Sequence, residues 1–189
     1  MFTTAPSNIM SKKPVRNLAE IRGMDLRASG GAAQILRAWG ANQVGMPMSA
    51  TPEALQKGVV QGLFSSLEVM KDFKFAETCK FVTMTDTVIY PFAVVMNMDS
   101  WNALPKDVQK VIEDMGTEQA EWTGDYMDNH VKEAISWSKD THKVEFIELP
   151  AEEKAEWDKL LEPIKVQWIE DAKGKGFPAE AIIKDIESL

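Results

Sequence analysis

Cysteine is nearly absent from this chain. Cys79 stands alone among 189 residues, so no internal disulfide can form and no cysteine pair can hold a metal. Its setting, Phe75-Ala76-Glu77-Thr78-Cys79, favours a buried, small apolar role. One thiol fits a reducing compartment and fits equally a secreted bacterial protein that does without disulfides. Histidine is almost as scarce, with only His130 and His142. His130 falls inside a long helical stretch and reads as structural; His142 falls at the end of that stretch, where a helix C-terminus favours it. Neither stands beside a Ser, a Cys or a carboxylate pair in a nucleophile motif. No paired-histidine zinc motif, nucleophile elbow, phosphate loop or dinucleotide fingerprint occurs. An enzyme is therefore the weaker class, and neither a metal nor a cofactor is expected.

Three further absences narrow the class. No apolar run is long enough for a transmembrane helix. The opening residues have no charged segment followed by an apolar one, so no signal peptide is present as written; Phe2-Thr3-Thr4-Ala5 instead reads like the tail of a strand in a larger protein. No Lys/Arg stripe interleaved with aromatics occurs, which argues against a nucleic-acid partner. What is present is an ordinary globular balance, 44% hydrophobic and 26% charged. The net charge of −8 is uneven: residues 1–80 hold ten Lys and Arg against six Asp and Glu, and residues 81–189 hold eleven against twenty-three. A mildly basic first part favours an anionic ligand locally, while the whole stays acidic.

The first ninety residues alternate short strands and helices. Strands are expected at Asp25 to Ala28, Asn42 to Met46, Val59 to Phe64 and Phe81 to Thr85. Helices are expected at Gly31 to Trp39, with Ser29 as N-cap, and from Thr51, with Thr51 as N-cap and Pro52 in the first turn. This order is that of an α/β lobe with a mostly parallel sheet. Tyr90 to Asn97 is apolar on both faces and reads as a central strand. Pro105 to Thr141 reads as one long helix, long enough to brace two lobes. Lys143 to Leu149 alternates as a half-buried strand. A helix after Pro150, kinked at Pro163, and a last helix over Ala179 to Ser188 complete the chain. Glu152-Glu153 and Glu170-Asp171 read as solvated, and the six tryptophans as core anchors first.

Arg27 is the most informative single residue. It ends a short strand, directly before Gly30-Gly31 and a helix, and ligands gather at the carboxyl ends of strands in such sheets. A guanidinium there offers a two-pronged, permanently charged grip on a carboxylate, beside the free N–H groups of a helix start. On spacing alone, a solvated surface arginine is the plainer reading.

From Pro14 onward, over about 175 residues, the chain resembles the solute-binding proteins of tripartite ATP-independent periplasmic (TRAP) transporters, of the dicarboxylate-binding type. Pro14-Val15-Arg16-Asn17-Leu18-Ala19-Glu20-Ile21-Arg22-Gly23 resembles the family's linker into its second lobe. Gly23-Met24-Asp25-Leu26-Arg27 is similar to the strand whose arginine binds the substrate carboxylate. Ala54-Leu55-Gln56-Lys57-Gly58-Val59-Val60-Gln61-Gly62 is similar to a second family segment. Trp101-Asn102-Ala103-Leu104-Pro105-Lys106-Asp107-Val108-Gln109 resembles the start of its long bracing helix. The chain departs where the family often has glutamate (Ala50), an aromatic (Pro52), aspartate (Gln61), an acidic residue (Phe64) and asparagine (Ser65). Thinner polar contacts imply a carboxylate ligand with a less polar body.

The resemblance implies a periplasmic-binding-protein-like (type II) fold of which this chain holds an incomplete part: a ligand-binding lobe over 1–90, a return strand and lobe-spanning helix over 91–142, and a strand with packing helices over 143–189. It implies a signal peptide and a first lobe in the full-length protein, which would be periplasmic. It implies capture of an organic acid for the membrane subunits of a TRAP transporter, by lobe closure. Arg27 would make the salt bridge, Ser65 would add a hydrogen bond, Phe64 and Tyr90 would pack on the ligand body, and Gln61 is a further candidate. The chain alone would bind weakly. The alternative is a non-transporting α/β module adapted to bind another protein.

Overall fold

The computed structural model describes residues 1–188. In chain order its elements are β1 (Phe2–Thr3), β2 (Ser7–Ser11), α1 (Leu18–Ile21), β3 (Asp25–Arg27), α2 (Ala32–Ala38), β4 (Asn42–Val44), α3 (Thr51–Gln56), β5 (Gly62–Ser65), α4 (Val69–Asp72), β6 (Phe81–Thr87), β7 (Pro91–Phe92), α5 (Met98–Ala103), α6 (Lys106–His142), β8 (Glu145–Glu148), α7 (Ala151–Lys159), α8 (Glu162–Gly174) and α9 (Ala179–Glu187).

Six strands form one mixed sheet in the order β4-β3-β5-β2-β6-β8. Three of its pairings are parallel, β3–β4, β3–β5 and β6–β8; the two involving β2 are antiparallel. Helices cover both faces, as short strands joined by helical crossovers require. Period-two alternation splits the apolar side chains between the two sides. Ile9, Leu26 and Phe64 face a cluster with Ile21, Ile35, Leu36, Trp39 and Trp157. Met10, Leu63 and Val82 face a cluster with Leu55, Met70, Phe75 and Cys79, closed by Val131 and Ile135 of α6.

Tryptophan anchors the first cluster. Trp39 and Trp157 are both buried, with ring centroids 4.7 Å apart at 60°, and the Trp39 indole N–H donates to the Trp157 carbonyl at 3.2 Å. This joins α7 to the end of α2 across 118 residues of sequence. Each such ring removes roughly 150–250 Å² from water, on the order of 4–6 kcal/mol before conformational entropy is set against it. At the sheet centre Gly62 is squeezed between strands: a Cβ there would meet the Met10 carbonyl oxygen at 2.3 Å and Leu26 Cδ2 and Ser11 Cα at 3.0 Å.

Several local expectations are corrected. Tyr90 to Asn97 is not a central strand. Only Pro91–Phe92 pairs, antiparallel with Phe2–Thr3 in a separate two-stranded sheet, and Val94 and Val95 are 92% and 85% exposed. β-propensity needs a neighbouring ladder, and among the described residues Val94 to Asn97 has none. Ser29 does not cap α2, whose N-cap is Gly31 without a side-chain bond. Thr51 does not cap α3 either: Ala50 holds that position, and the Thr51 hydroxyl donates back to the Pro47 carbonyl at 3.3 Å. Pro163 does not kink a continuous helix. It sits in the first turn of α8, after a break that ends α7, where its missing N–H leaves no bond unmade.

Candidate functional site

β3 is three residues long, and its register decides what surrounds Arg27. Arg27 lies opposite Val44 on one side and Leu63 on the other. It therefore shares a sheet face with Leu63 and, two residues further along β5, with Ser65. Two residues of rise against one interstrand spacing put the Arg27 and Ser65 Cα atoms roughly 8 Å apart. That separation suits one small ligand held at both ends.

Arg27 is only 6% exposed. Its Nε donates to the Met46 carbonyl oxygen at 3.1 Å, which fixes the plane of the guanidinium from the loop after β4. No carboxylate pairs with it among the described residues, and its terminal nitrogens are not among the sealed, unpartnered polar atoms. Burial lowers its pKa from the ordinary value, and the neighbouring Tyr90 phenol raises it in part. A nearly buried guanidinium without a counterion is costly. Such a guanidinium can pair with an anion from outside the chain.

Tyr90 reaches the same end of the sheet. Its ring packs, partly buried, against the first cluster, and its hydroxyl donates to the Ser29 carbonyl at 3.4 Å. Burial raises its pKa, offset in part by the Ala32 amide and by Arg27. Ser65 is half-buried and lies opposite Asn8 of β2. Asn8 was not singled out from the sequence. Its Oδ1 accepts from the backbone N–H of Thr85 at 2.7 Å and of Asp86 at 2.9 Å, and its Nδ2 donates to Pro6 and Asp86. Little in the sequence marks it, because β2 reads Ser-Asn-Ile-Met-Ser and holds two serines besides.

Two of the five sequence candidates fall elsewhere. Phe64 points to the opposite face from Arg27 and Ser65. It is 2% exposed and sits edge-on to Trp39, centroids 5.4 Å apart at 78°. Consecutive strand residues cannot both face one ligand. Gln61 lies before β5, at the end away from Ser65. Its Oε1 accepts from the Asp25 N–H at 3.1 Å, and it lines an open cleft of about 360 Å³ with Lys13, Pro14, Glu20 and Met24. It serves as a cross-link between strand starts. Another open cavity, about 380 Å³, lies between β1, β7, α4 and α6, lined by Phe2, Phe73, Phe92, Tyr126 and His130 among others; none of the five candidates borders it. Among the described residues no cluster of three His, Cys, Asp or Glu is placed to hold a metal, and no helix is long and apolar enough to cross a membrane.

Comparison with known proteins bears on the fold and the family. A periplasmic solute-binding protein of the TRAP type from Desulfovibrio salexigens, solved open with the C-terminus of a neighbouring molecule in its ligand-binding site, is 53% identical. It superposes with a TM-score of 0.85 over 98% of this chain and 58% of that one. A TRAP solute-binding protein from Rhodoferax ferrireducens, solved with copurified benzoate, is 27% identical with a TM-score of 0.87, over 96% of this chain and 59% of that one. The C4-dicarboxylate-binding periplasmic protein DctP of Rhodobacter capsulatus is 27% identical over 85% of this chain and 45% of its own length. The chain thus spans about half the length of the curated relatives it matches. Residues 5–171 match the family described as bacterial extracellular solute-binding protein, family 7, a family of solute binders rather than enzymes. The chain belongs to that family.

Proposed function

We propose that this chain forms the ligand-binding lobe and bracing helix of a protein that captures an organic-acid carboxylate outside the cytoplasm and delivers it to the membrane subunits of a TRAP-type transporter. Arg27 grips the carboxylate with its two terminal nitrogens. Ser65, on the same face, donates or accepts a hydrogen bond further along the ligand, and Tyr90 borders the site. The ligand is enclosed by closure of a second lobe, with the crossing strands as the hinge. The observation that carries this reading is the nearly buried Arg27, fixed through Nε and left without an acidic partner. The benzoate held by one relative and the dicarboxylates named for another are both carboxylates, which supports the reading. The test is Arg27→Ala in a full-length version carrying both lobes, with benzoate as the probe in titration calorimetry. Removing one partner of a desolvated charge pair costs about 2–5 kcal/mol, so affinity is expected to fall about 30-fold or more. Unchanged affinity would sink the assignment.

A second reading rests on a different observation. Val94, Val95, Val111 and Trp122 are each more than half exposed, a surface that suits a protein partner. A non-transporting interaction module would hold that partner and leave Arg27→Ala without effect on any carboxylate.

A further inference from the structure

Tyr90 is attached at both ends. Through its backbone it belongs to the crossing pair: the Thr4 N–H donates to the Tyr90 carbonyl at 3.0 Å, and the Tyr90 N–H donates to the Thr4 hydroxyl oxygen at 3.1 Å. Directly beyond, β1 and β7 pair, with the Phe2 and Phe92 rings stacked 5.2 Å apart. Through its side chain it belongs to the site: the hydroxyl donates to Ser29, two residues past Arg27, and the Ala32 amide lies against the same oxygen.

The backbone just before it is bent. Asp86 has φ of 43° and Val88 of 25°, a region that L-residues avoid and β-branched ones avoid most. Asn8 pins this bend to β2 by accepting from the Thr85 and Asp86 N–H groups, and the Ser7 N–H donates to the Val88 carbonyl at 3.0 Å. The crossing pair therefore leaves the sheet through this pinned bend at residues 86–88. Tyr90 is the next group along that also touches the sheet end. Its attachment is firm on the strand side and long, at 3.4 Å, on the loop side; the loop contact yields first.

We propose that Tyr90 is a positioning residue: it ties the crossing strands β1 and β7 to the Ser29–Ala32 loop, and so couples the angle of those strands to the placement of Arg27. The consequence for ligand binding rests on the reading of Arg27 as the carboxylate anchor, but the tie exists without ligand and is testable in this chain as it stands.

The test is amide hydrogen exchange followed by NMR in wild-type chain, Tyr90→Phe and Arg27→Ala. Tyr90→Phe removes only the hydroxyl. Exchange at Ala32 is expected to speed up about 3–10-fold. So is exchange at Ala28, whose N–H donates to the Val44 carbonyl beside Arg27. Val82 in β6 and the melting temperature should not move, which separates a tie from general loosening. Unchanged exchange at Ala32 overturns the proposal, and so does a change at Ala32 that does not reach Ala28. Thr4→Val removes the acceptor of the Tyr90 N–H, leaves the Thr4 N–H bond to the Tyr90 carbonyl, and keeps the Tyr90 hydroxyl. This loosened strand end is expected to accelerate the same two amides to a smaller extent; if it does not, the coupling to the strands is wrong. Arg27→Ala should leave Ala32 protected. Benzoate titrations of the full-length Arg27→Ala protein then report on the anchor alone, so failure of the anchor and failure of the tie give different results.

Discussion

Helix α6 is one helix with two fates. Over its last third, Ala134 and Ser138 are fully buried, Val131, Ile135 and Trp137 pack on the second cluster, and His130 Nε2 lies 2.8 Å from Asp72 Oδ1 of α4. Over its first two thirds, Val108, Val111, Ile112, Met115 and Trp122 recur at helical spacing yet stand exposed. The same sequence grammar is written along both parts. The difference lies in whether a partner surface is present, because an apolar stripe determines where a helix can be covered and not what covers it. Trp122, Tyr126 and His130 mark the transition as a stacked ladder, with ring centroids 5.4 and 5.5 Å apart.

The contrast between packed and uncovered regions can be broken at graded cost. Cys79 tests the packed side most severely. Burial pushes its thiol up to about 12 from 9.0, with Lys12 and Lys80 pulling back. At pH 8 its thiolate fraction is then about a thousandfold below that of a free thiol. Labelling by a disulfide reagent should be slower by at least that factor in folded chain than in denaturant; comparable rates would mean that the second cluster opens readily. Because the folded value lies above the unfolded one, this thiol's contribution to stability is present below about pH 9 and is lost as pH rises towards 12, so urea midpoints should decline over that window. Trp39→Ala should cost about 3–5 kcal/mol in urea unfolding, as the Trp157 contact and the Phe64 edge are lost together. Gly62→Ala should cost about 1–3 kcal/mol, since its Cβ collides with strand backbone that cannot move aside. Met115→Gln, on the uncovered face with similar helix propensity, should change stability by less than about 0.5 kcal/mol. A loss above 1 kcal/mol there would show that this face is covered in solution, and sedimentation would identify a second copy as the cover.

How much was legible follows the same line. The long helix was read to within one or two residues, because Pro105 and Lys143 bound an uninterrupted 3.6-residue pattern; Lys143 closes it in the left-handed conformation with φ of 55°. The alternation of strand and helix from Asp25 to Thr85 was legible from its periodicity and turn residues, whereas the buried strand Ser7–Ser11 was not, because its polar residues hide it. Tyr90 to Asn97 was not, because a doubly apolar run reads alike whether it lies in a sheet centre or awaits a neighbour. The position of Arg27 at a strand end could be read, yet what orients it is the Met46 carbonyl, and a backbone oxygen leaves no mark in a sequence. That Phe64 lies on the opposite sheet face from Arg27 could have been read, since Ser65 and Phe64 are adjacent on one strand and only one of them shares the face of Arg27. The expected cap at Thr51 failed because its hydroxyl donates to the Pro47 carbonyl, and the one at Ser29 because the helix starts two residues later, with Gly31 at the N-cap position.

The length of α6 has a mechanical consequence. At 1.5 Å per residue its 37 residues make a rod of about 55 Å, of which the part before Tyr126 extends about 30 Å beyond its grip on the sheet. A rod clamped near one end converts small rotations into long arcs. A tilt of about 10° at the clamp would sweep the far tip through about 5 Å, a displacement readable between a spin label near Lys106 and one on β6. The residues that set the tip's position are thus the clamp residues His130, Ala134 and Ser138, and a single methyl added under Ala134 would be felt most strongly at the opposite end of the helix.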